Sequence, residues 1–329
     1  MNTDTNMIKK AGITKILANY WLLIFTVLVF AVFSILLPNF AKTSSIFNML
    51  ASASIMAIAS LGMTCIMATG EIDLSLGAQV SMGAVLTGAF LTIDGLNSFV
   101  LAAILAILAV MCIGALNAFL SVFLRIPSFI ATIGTSFIVS GLAKTLTGEK
   151  TIVSDYRWPK TYTILGQRRL FGVVPYAVIA LIVVGIIIYI FTERTRWGKY
   201  LYLVGSNRKA CDYLGINSSV QKLRGFLLCS AFAAFAGVIR TSMLNLIAAQ
   251  IGAATLMEAV TVIMLGATFI KQGVYNVPGS IIAALLFTGL FYGLTMLGVP
   301  QYGRDIFQGI ILVISISAVT IIRRRSVKL

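Results

Sequence analysis

The sequence predicts an all-α protein, a polytopic transmembrane bundle of about ten spanning helices. Two observations carry this. Of the 329 residues, 59% are hydrophobic and only 11% charged, where a soluble domain is about half apolar and a quarter charged. Apolar runs of spanning or near-spanning length also recur from one end of the chain to the other. The 28 glycines agree, since small residues let helices approach closely in lipid.

The first run, 20–37, follows Lys9, Lys10 and Lys15. It has the outline of a signal peptide, but it is long enough to span. Pro38-Asn39-Phe40 also lacks the small-x-small cleavage pattern, so the run reads as a retained first helix. Runs 46–69 and 74–93 follow, either as two helices or as one broken element. The rest are 98–124, 127–147, 173–192, 222–245, 253–270, 276–297 and 303–322. The spacings Gly83…Gly88 and Gly134…Gly141 fit tight bundle contacts. Thr87-Gly88-Ala89-Phe90 and Thr288-Gly289-Leu290-Phe291 form a weak internal echo.

Charge sets the expected orientation. An even number of spans returns both termini to one side. With the N-terminus inside, sixteen Lys and Arg fall on inner segments and seven on outer ones, and Arg240 and Arg304 lie near outer helix ends. The positive-inside rule then favours N-in and C-in. The chain reads as a single transmembrane domain over 1–329 with two notable connections. The break 193–224 carries seven Lys or Arg and is expected in the cytoplasm. The outer loop 148–172 is basic and holds Tyr156, Trp158 and Tyr162. It suits an interfacial aromatic belt or a docking face for an acidic soluble partner.

Composition also excludes chemistries. There is no His, the commonest metal ligand and general base. Cys65, Cys112, Cys211 and Cys229 show no metal spacing and read as small hydrophobes, so no metal site is expected. No GxxxxGK[ST] loop occurs, so nucleotide hydrolysis is not expected of this chain. No carboxylate pair has catalytic spacing, so the chain is not read as an enzyme and no bound cofactor is expected. The net charge of +15 lies between apolar runs. That placement suits membrane lipids and orientation, not nucleic acid.

Ionisable groups at membrane depth need a partner or a function. Glu71 and Asp73 lie between two runs, with Ser75 just inside the second. One reading is a broken helix lining a cavity. The other is a short turn in which Asp73 caps the next helix near Ser75 and Leu76. Glu258 belongs either to the path or to a structural ion pair with Arg240. Asn48, Gln79, Asn117, Asn245 and Gln250 are further polar groups read as mid-span. Of these, Gln79 and Asn117 join Glu71, Asp73, Ser75 and Glu258 as candidates for the translocation path.

The motifs resemble those of the permeases of bacterial ABC importers for ribose and related carbohydrates, over most of the chain. Residues 69–77, TGEIDLSLG, are similar to that family's T-G-G-I-D-L-S-V-G, with Glu71 in place of the second Gly. Gly205-Ser206-Asn207 through Ala210 to Leu214-Gly215-Ile216 resembles G-x-N-x-x-A-x-x-x-G-I. Residues 236–239, AGVI, follow. Leu265-Gly266-Ala267-Thr268, Gly273 and Pro278-Gly279-Ser280 resemble the L-G-G region, with Ala267 replacing one Gly. The acidic pair before that region is reduced to Glu258, with Leu256 at the other position.

The resemblance implies a permease of the bacterial inner membrane that imports a sugar. It would pair with a second copy or a paralogous permease around a central path. A cytoplasmic ATPase would bind ATP and Mg, and an extracytoplasmic sugar-binding protein would deliver substrate. A coupling helix is implied at Gly205, Ser206, Asn207, Arg208, Ala210, Leu214 and Gly215. Asn207 and Gly215 would bound it, Ala210 and Leu214 would give it a small apolar face, and Arg208 and Lys209 would stay solvated or meet acidic groups of the partner. The alternative is an ion-coupled secondary transporter with Glu71, Asp73 and Glu258 as coupling sites.

Overall fold

The computed structural model describes residues 20–93, 98–154 and 158–327. Lys9, Lys10, Lys15, Tyr156, Arg157 and Lys328, which enter the orientation and loop readings, lie outside these ranges. All ten apolar runs carry helices. Among the described residues seven helices are long and apolar enough to span, while Tyr20–Leu36, Leu76–Leu91 and Thr255–Gly266 are shorter. The described chain falls into two compact units, Phe47–Val260 and a second made of the segments up to Ile46 and from Thr261.

The larger unit is built on helices α2 (Thr43–Ala68), α3 (Leu76–Leu91) and α10 (Ser218–Leu244). α2 is buried continuously over residues 57–68 and α3 over 76–85. Glycine makes this possible, because backbones touch where a side chain would intervene. A Cβ on Gly237 would stand 2.1 Å from the Val80 carbonyl oxygen, and one on Gly83 would stand 2.7 Å from the Ala234 backbone. At 16 residues α3 is only about 24 Å long, too short to cross lipid unaided. It is held inside protein instead.

α4 (Phe99–Ala118), α5 (Ser128–Thr147) and α7 (Tyr176–Arg194) leave most of their residues only partly buried or exposed, as lipid-facing helices do. α4 starts at Ser98, whose Oγ accepts from the Leu101 amide, and runs into a π turn at Phe119–Phe123. Gly148 in the left-handed conformation ends α5. Gly88 packs on Ile247 and Trp158, as the Gly83…Gly88 spacing predicts. Gly134 and Gly141 do not follow suit: among the described residues no atom beyond their own stretch of helix lies within 4 Å of a Cβ at either, because they face outward on α5.

The 148–172 loop folds back onto the bundle. It holds the 3-10 turn Lys160–Thr163, the short α6 (Ile164–Gln167) and two-residue ladders. β1 (Ile152–Val153) pairs with β4 (Leu246–Ile247), and β2 (Arg169–Leu170) with β3 (Val174–Pro175). Trp158 and Tyr162 are buried against Phe99, Ala102, Ala103 and Val238, not arrayed as an interfacial belt. Burial requires a partner for the phenol, and Tyr162 Oη donates to the Thr241 carbonyl at 2.8 Å.

In the smaller unit, α1 (Tyr20–Leu36) packs on α12 (Val277–Met296). Phe30 and Phe33 fill the spaces left by Gly289 and Gly293. α11 (Thr255–Gly266) crosses the unit boundary, and its last glycine touches Gly279 at the start of α12. Between them Asn276 Nδ2 donates to the carbonyls of Phe269 and Val274 at 3.0 Å, and its Oδ1 caps the Gly279 amide at 2.8 Å. α13 (Gln301–Val327) follows, and its Arg323 Nε donates to the Gly273 carbonyl at 2.8 Å.

Candidate functional site

Two arrangements in the larger unit bring the expected residues together: a buried polar cluster and the connection between α7 and α10.

The break at 69–75 separates α2 from α3. Gly70, at φ +82°, turns the chain where a residue with a side chain would be strained. Asp73 then points inward and is fully buried, as are Ser75, Gln79 and Asn117. Asp73 Oδ1 accepts from the Ser75 amide at 2.9 Å and the Ser75 hydroxyl at 2.5 Å. Its Oδ2 accepts from Gln79 Nε2 at 2.9 Å. Asn117 Nδ2 on α4 reaches Asp73 Oδ1 at 3.3 Å and Ser75 Oγ at 2.9 Å, and Thr135 Oγ1 on α5 donates to Asn117 Oδ1 at 2.7 Å. Four of the six path candidates thus form one network joining the break, α3, α4 and α5. Asp73 takes up the Ser75 amide as the turn reading expects, but the N-cap of α3 is Ser75 and no side chain caps it. The carboxylate is enclosed within the folded chain. Gln79 Oε1 is the one atom of these side chains left without a hydrogen-bond partner.

Glu71 stands apart from this cluster. It forms a short ion pair with Lys222 in the first turns of α10, with side chains 16% and 10% exposed. Glu258 also stands apart, and Arg240 acts on it through charge at longer range and not through a direct salt bridge. Arg240 Nη1 donates to Thr255 Oγ1 at 2.9 Å, one turn before Glu258, and the two charges form no direct pair among the described residues. Three polar residues read as mid-span sit at helix ends or in loops. Asn48 Oδ1 accepts from Arg169 near the start of α2, Asn245 ends α10 at φ +59°, and Gln250 follows β4. Gln250 lines a recess of about 320 Å³ together with Lys144, Glu149 and Lys150.

The polar break 193–224 is mostly helical. α8 spans Arg196–Ser206 and α9 spans Arg208–Tyr213. The short helix expected between Asn207 and Gly215 exists. Asn207 Oδ1 accepts from the Ala210 amide at 3.0 Å, and Gly215 closes the helix at φ +76°. Gly205 packs inward, where a Cβ would lie 2.1 Å from the Ala68 carbonyl oxygen and 3.0 Å from the Gly70 nitrogen. The 205–215 segment therefore rests directly on the break that carries Asp73. Ser206 Oγ turns back onto the Leu203 carbonyl. Arg208 is not simply solvated: its Nε reaches Ser218 Oγ at 3.2 Å and Asp212 at 3.8 Å. Asp212 accepts from the Ser218 amide, and the Ser218 hydrogen bonds hold its carboxyl below the usual carboxylate range. Ala210 and Leu214 are exposed, as expected of a docking face. Sequence reasoning passed over Tyr213, which at 90% exposed is the most prominent side chain there. An aromatic ring inside a basic, capped segment was the available signal.

A family of proteins described as branched-chain amino acid transport system / permease component matches residues 45–316. The chain belongs to this permease family. The permease is 30% identical over 297 residues to the ribose import permease protein RbsC of Escherichia coli (strain K12), covering 89% of this chain and 91% of that one. It is 28% identical to the galactose/methyl galactoside import permease protein MglC of the same strain, with 85% and 87% covered. It is 27% identical to the autoinducer 2 import system permease protein LsrC of Yersinia enterocolitica, with 86% and 77% covered. No solved structure matches it. The resemblance to ribose-type ABC import permeases drawn from the motifs is borne out, and the permease is a multi-pass protein of the inner membrane.

Proposed function

We propose that this permease is the membrane subunit of an ATP-driven ABC importer and forms the path for a ribose-like pentose, a hexose or a related carbohydrate. The observation that carries this reading is the near full-length similarity to permeases named for ribose and galactose import. In this reading both termini and the α8–α9 connection lie in the cytoplasm. A separate ATPase binds ATP and Mg and grips α9, with Tyr213 and Leu214 as its apolar anchors. An extracytoplasmic sugar-binding protein delivers substrate to the opposite side, where Lys144 and Lys150 offer basic contacts beside the recess. A second copy or a paralogous permease completes the path. The outward glycines of α5 support close pairing there, since an unfilled small-residue face admits another helix.

The test is reconstitution into liposomes with the co-purified ATPase and binding protein. Labelled ribose or galactose should accumulate only with ATP inside the compartment that holds the ATPase. Ala210→Arg should abolish transport-coupled ATP hydrolysis while the protein stays in the membrane. Uptake by the permease alone under a proton or sodium gradient would overturn the importer reading in favour of ion coupling.

A further inference from the structure

We propose that α8, with the ends of α7 and α10, forms a binding site for the phosphate headgroup of an anionic membrane phospholipid. α8 begins two residues after α7 ends, with Thr195 Oγ1 accepting from the Gly198 amide at 3.1 Å. Gly198 makes the tight turn possible, since a Cβ there would stand 2.1 Å from the Phe191 carbonyl oxygen. Gly198, Leu201 and Val204 face the protein, while Arg196, Lys199 and Leu203 face outward. This is the pattern of an amphipathic helix lying at a membrane surface.

Trp197 turns the pattern into a site. Its indole holds the Arg224 guanidinium 3.9 Å from the ring centroid and the Arg196 guanidinium at 5.5 Å. Two cations from different helices are thereby fixed about one aromatic ring at the end of a spanning helix, and Lys199 and Arg194 stand exposed on the same connection. Arg224 Nη1 also donates to Gln221 Oε1 at 3.3 Å, which helps fix the guanidinium over the ring. Glu193 is the single acidic residue from 193 through 211. Fixed guanidinium groups bind phosphate oxygens through several N–H donors, and Trp and Tyr favour headgroup depth. A lipid phosphate meets both demands, and its acyl chains meet the exposed Leu203. The site does not depend on the importer reading. Only its consequence does, since α8 leads through Gly205 into α9.

The experiment uses the full chain purified in detergent with equal phosphatidylglycerol and phosphatidylcholine. Native mass spectrometry should show retained phosphatidylglycerol falling about fivefold in Arg196→Gln/Lys199→Gln/Arg224→Gln. A control with as many charges removed elsewhere, Lys144→Gln/Lys150→Gln/Lys160→Gln, should keep it. If the triple variant does not fold, Lys199→Gln on the exposed face should lose about half of the retained lipid. Phosphatidylglycerol, and not inorganic phosphate, should raise the unfolding midpoint of the unaltered permease. Equal lipid loss from the control, equal protection by inorganic phosphate, or loss of ATPase binding with unchanged lipid retention would each overturn the proposal.

Discussion

Asp73 shows what a buried carboxylate demands of its neighbours. Its side chain satisfies Ser75, Gln79 and Asn117 together, so removing it strands donors that water cannot reach. Asp73→Leu should cost about 3 kcal/mol in unfolding free energy, measured by thermal or denaturant unfolding in detergent, and Asp73→Asn should cost less. Glu71 and Lys222 pose the complementary case. Breaking a nearly buried ion pair from one side leaves an uncompensated charge, so Lys222→Met alone should destabilise by roughly 3–5 kcal/mol. The double variant Glu71→Gly/Lys222→Met should lose less than Lys222→Met alone, and simple additivity in the cycle would refute the coupling. The sequence singles out Glu71 because it replaces a glycine of the motif. Its partner is 151 residues away, and no local pattern could have paired them.

Element by element, the caps explain where helices begin and end, and they make α9 testable. Gly215→Ala should strain the left-handed closure by about 1 kcal/mol and reduce coupled ATP hydrolysis, with membrane insertion unchanged. Tyr213→Ser/Leu214→Ser removes exposed apolar surface, so the unfolding midpoint should hold while affinity for the ATPase falls about tenfold or more. Asp212 carries the pH dependence of this connection. Its folded pKa is depressed by Ser218, so its contribution is complete above its unfolded value near 3.8 and is lost as pH falls through the lower folded value. The stability difference between the permease and Asp212→Asn should therefore be constant well above 3.8 and shrink as the pH falls below it. The two helix breaks also correspond. Gly70 precedes Asp73 by the same three residues that separate Gly273 from Asn276, and both glycines sit at φ +82°. The faint Thr-Gly-x-Phe echo lies within the helices that follow.

For the molecule as a whole, spanning helices are legible because length and apolarity are local properties. Each of the ten runs contains a helix, with ends shifted by a few residues where caps override composition, as when Asn217 starts α10 earlier than its apolar run. Tertiary choices are not legible in this way. Trp158 and Tyr162 have interfacial character in sequence, yet a buried hydrogen bond to Thr241 draws Tyr162 inward. Arg240 has a carboxylate and a hydroxyl within reach on one helix, and geometry selects Thr255. Assembly is read only from what is left unfilled. Gly141→Leu should leave the isolated chain folded and weaken pairing between permeases, which cross-linking in membranes would register. Unchanged pairing would place the second subunit on another face.

The π turn at the end of α4 has its own consequence. The Leu124 amide donates to the Phe119 carbonyl five residues back, which is how a helix absorbs one surplus residue, and the Ile126 amide reaches the Leu120 carbonyl from beyond the helix end. Deleting Val122 would let the turn regularise and rotate the point where the chain leaves the helix by about 100°, redirecting Arg125, which follows at φ +58°. Asn117, one turn earlier, would keep its place beside Asp73. An insertion or deletion within 119–123 is thus a change that the polar cluster would survive and the α4–α5 connection would not.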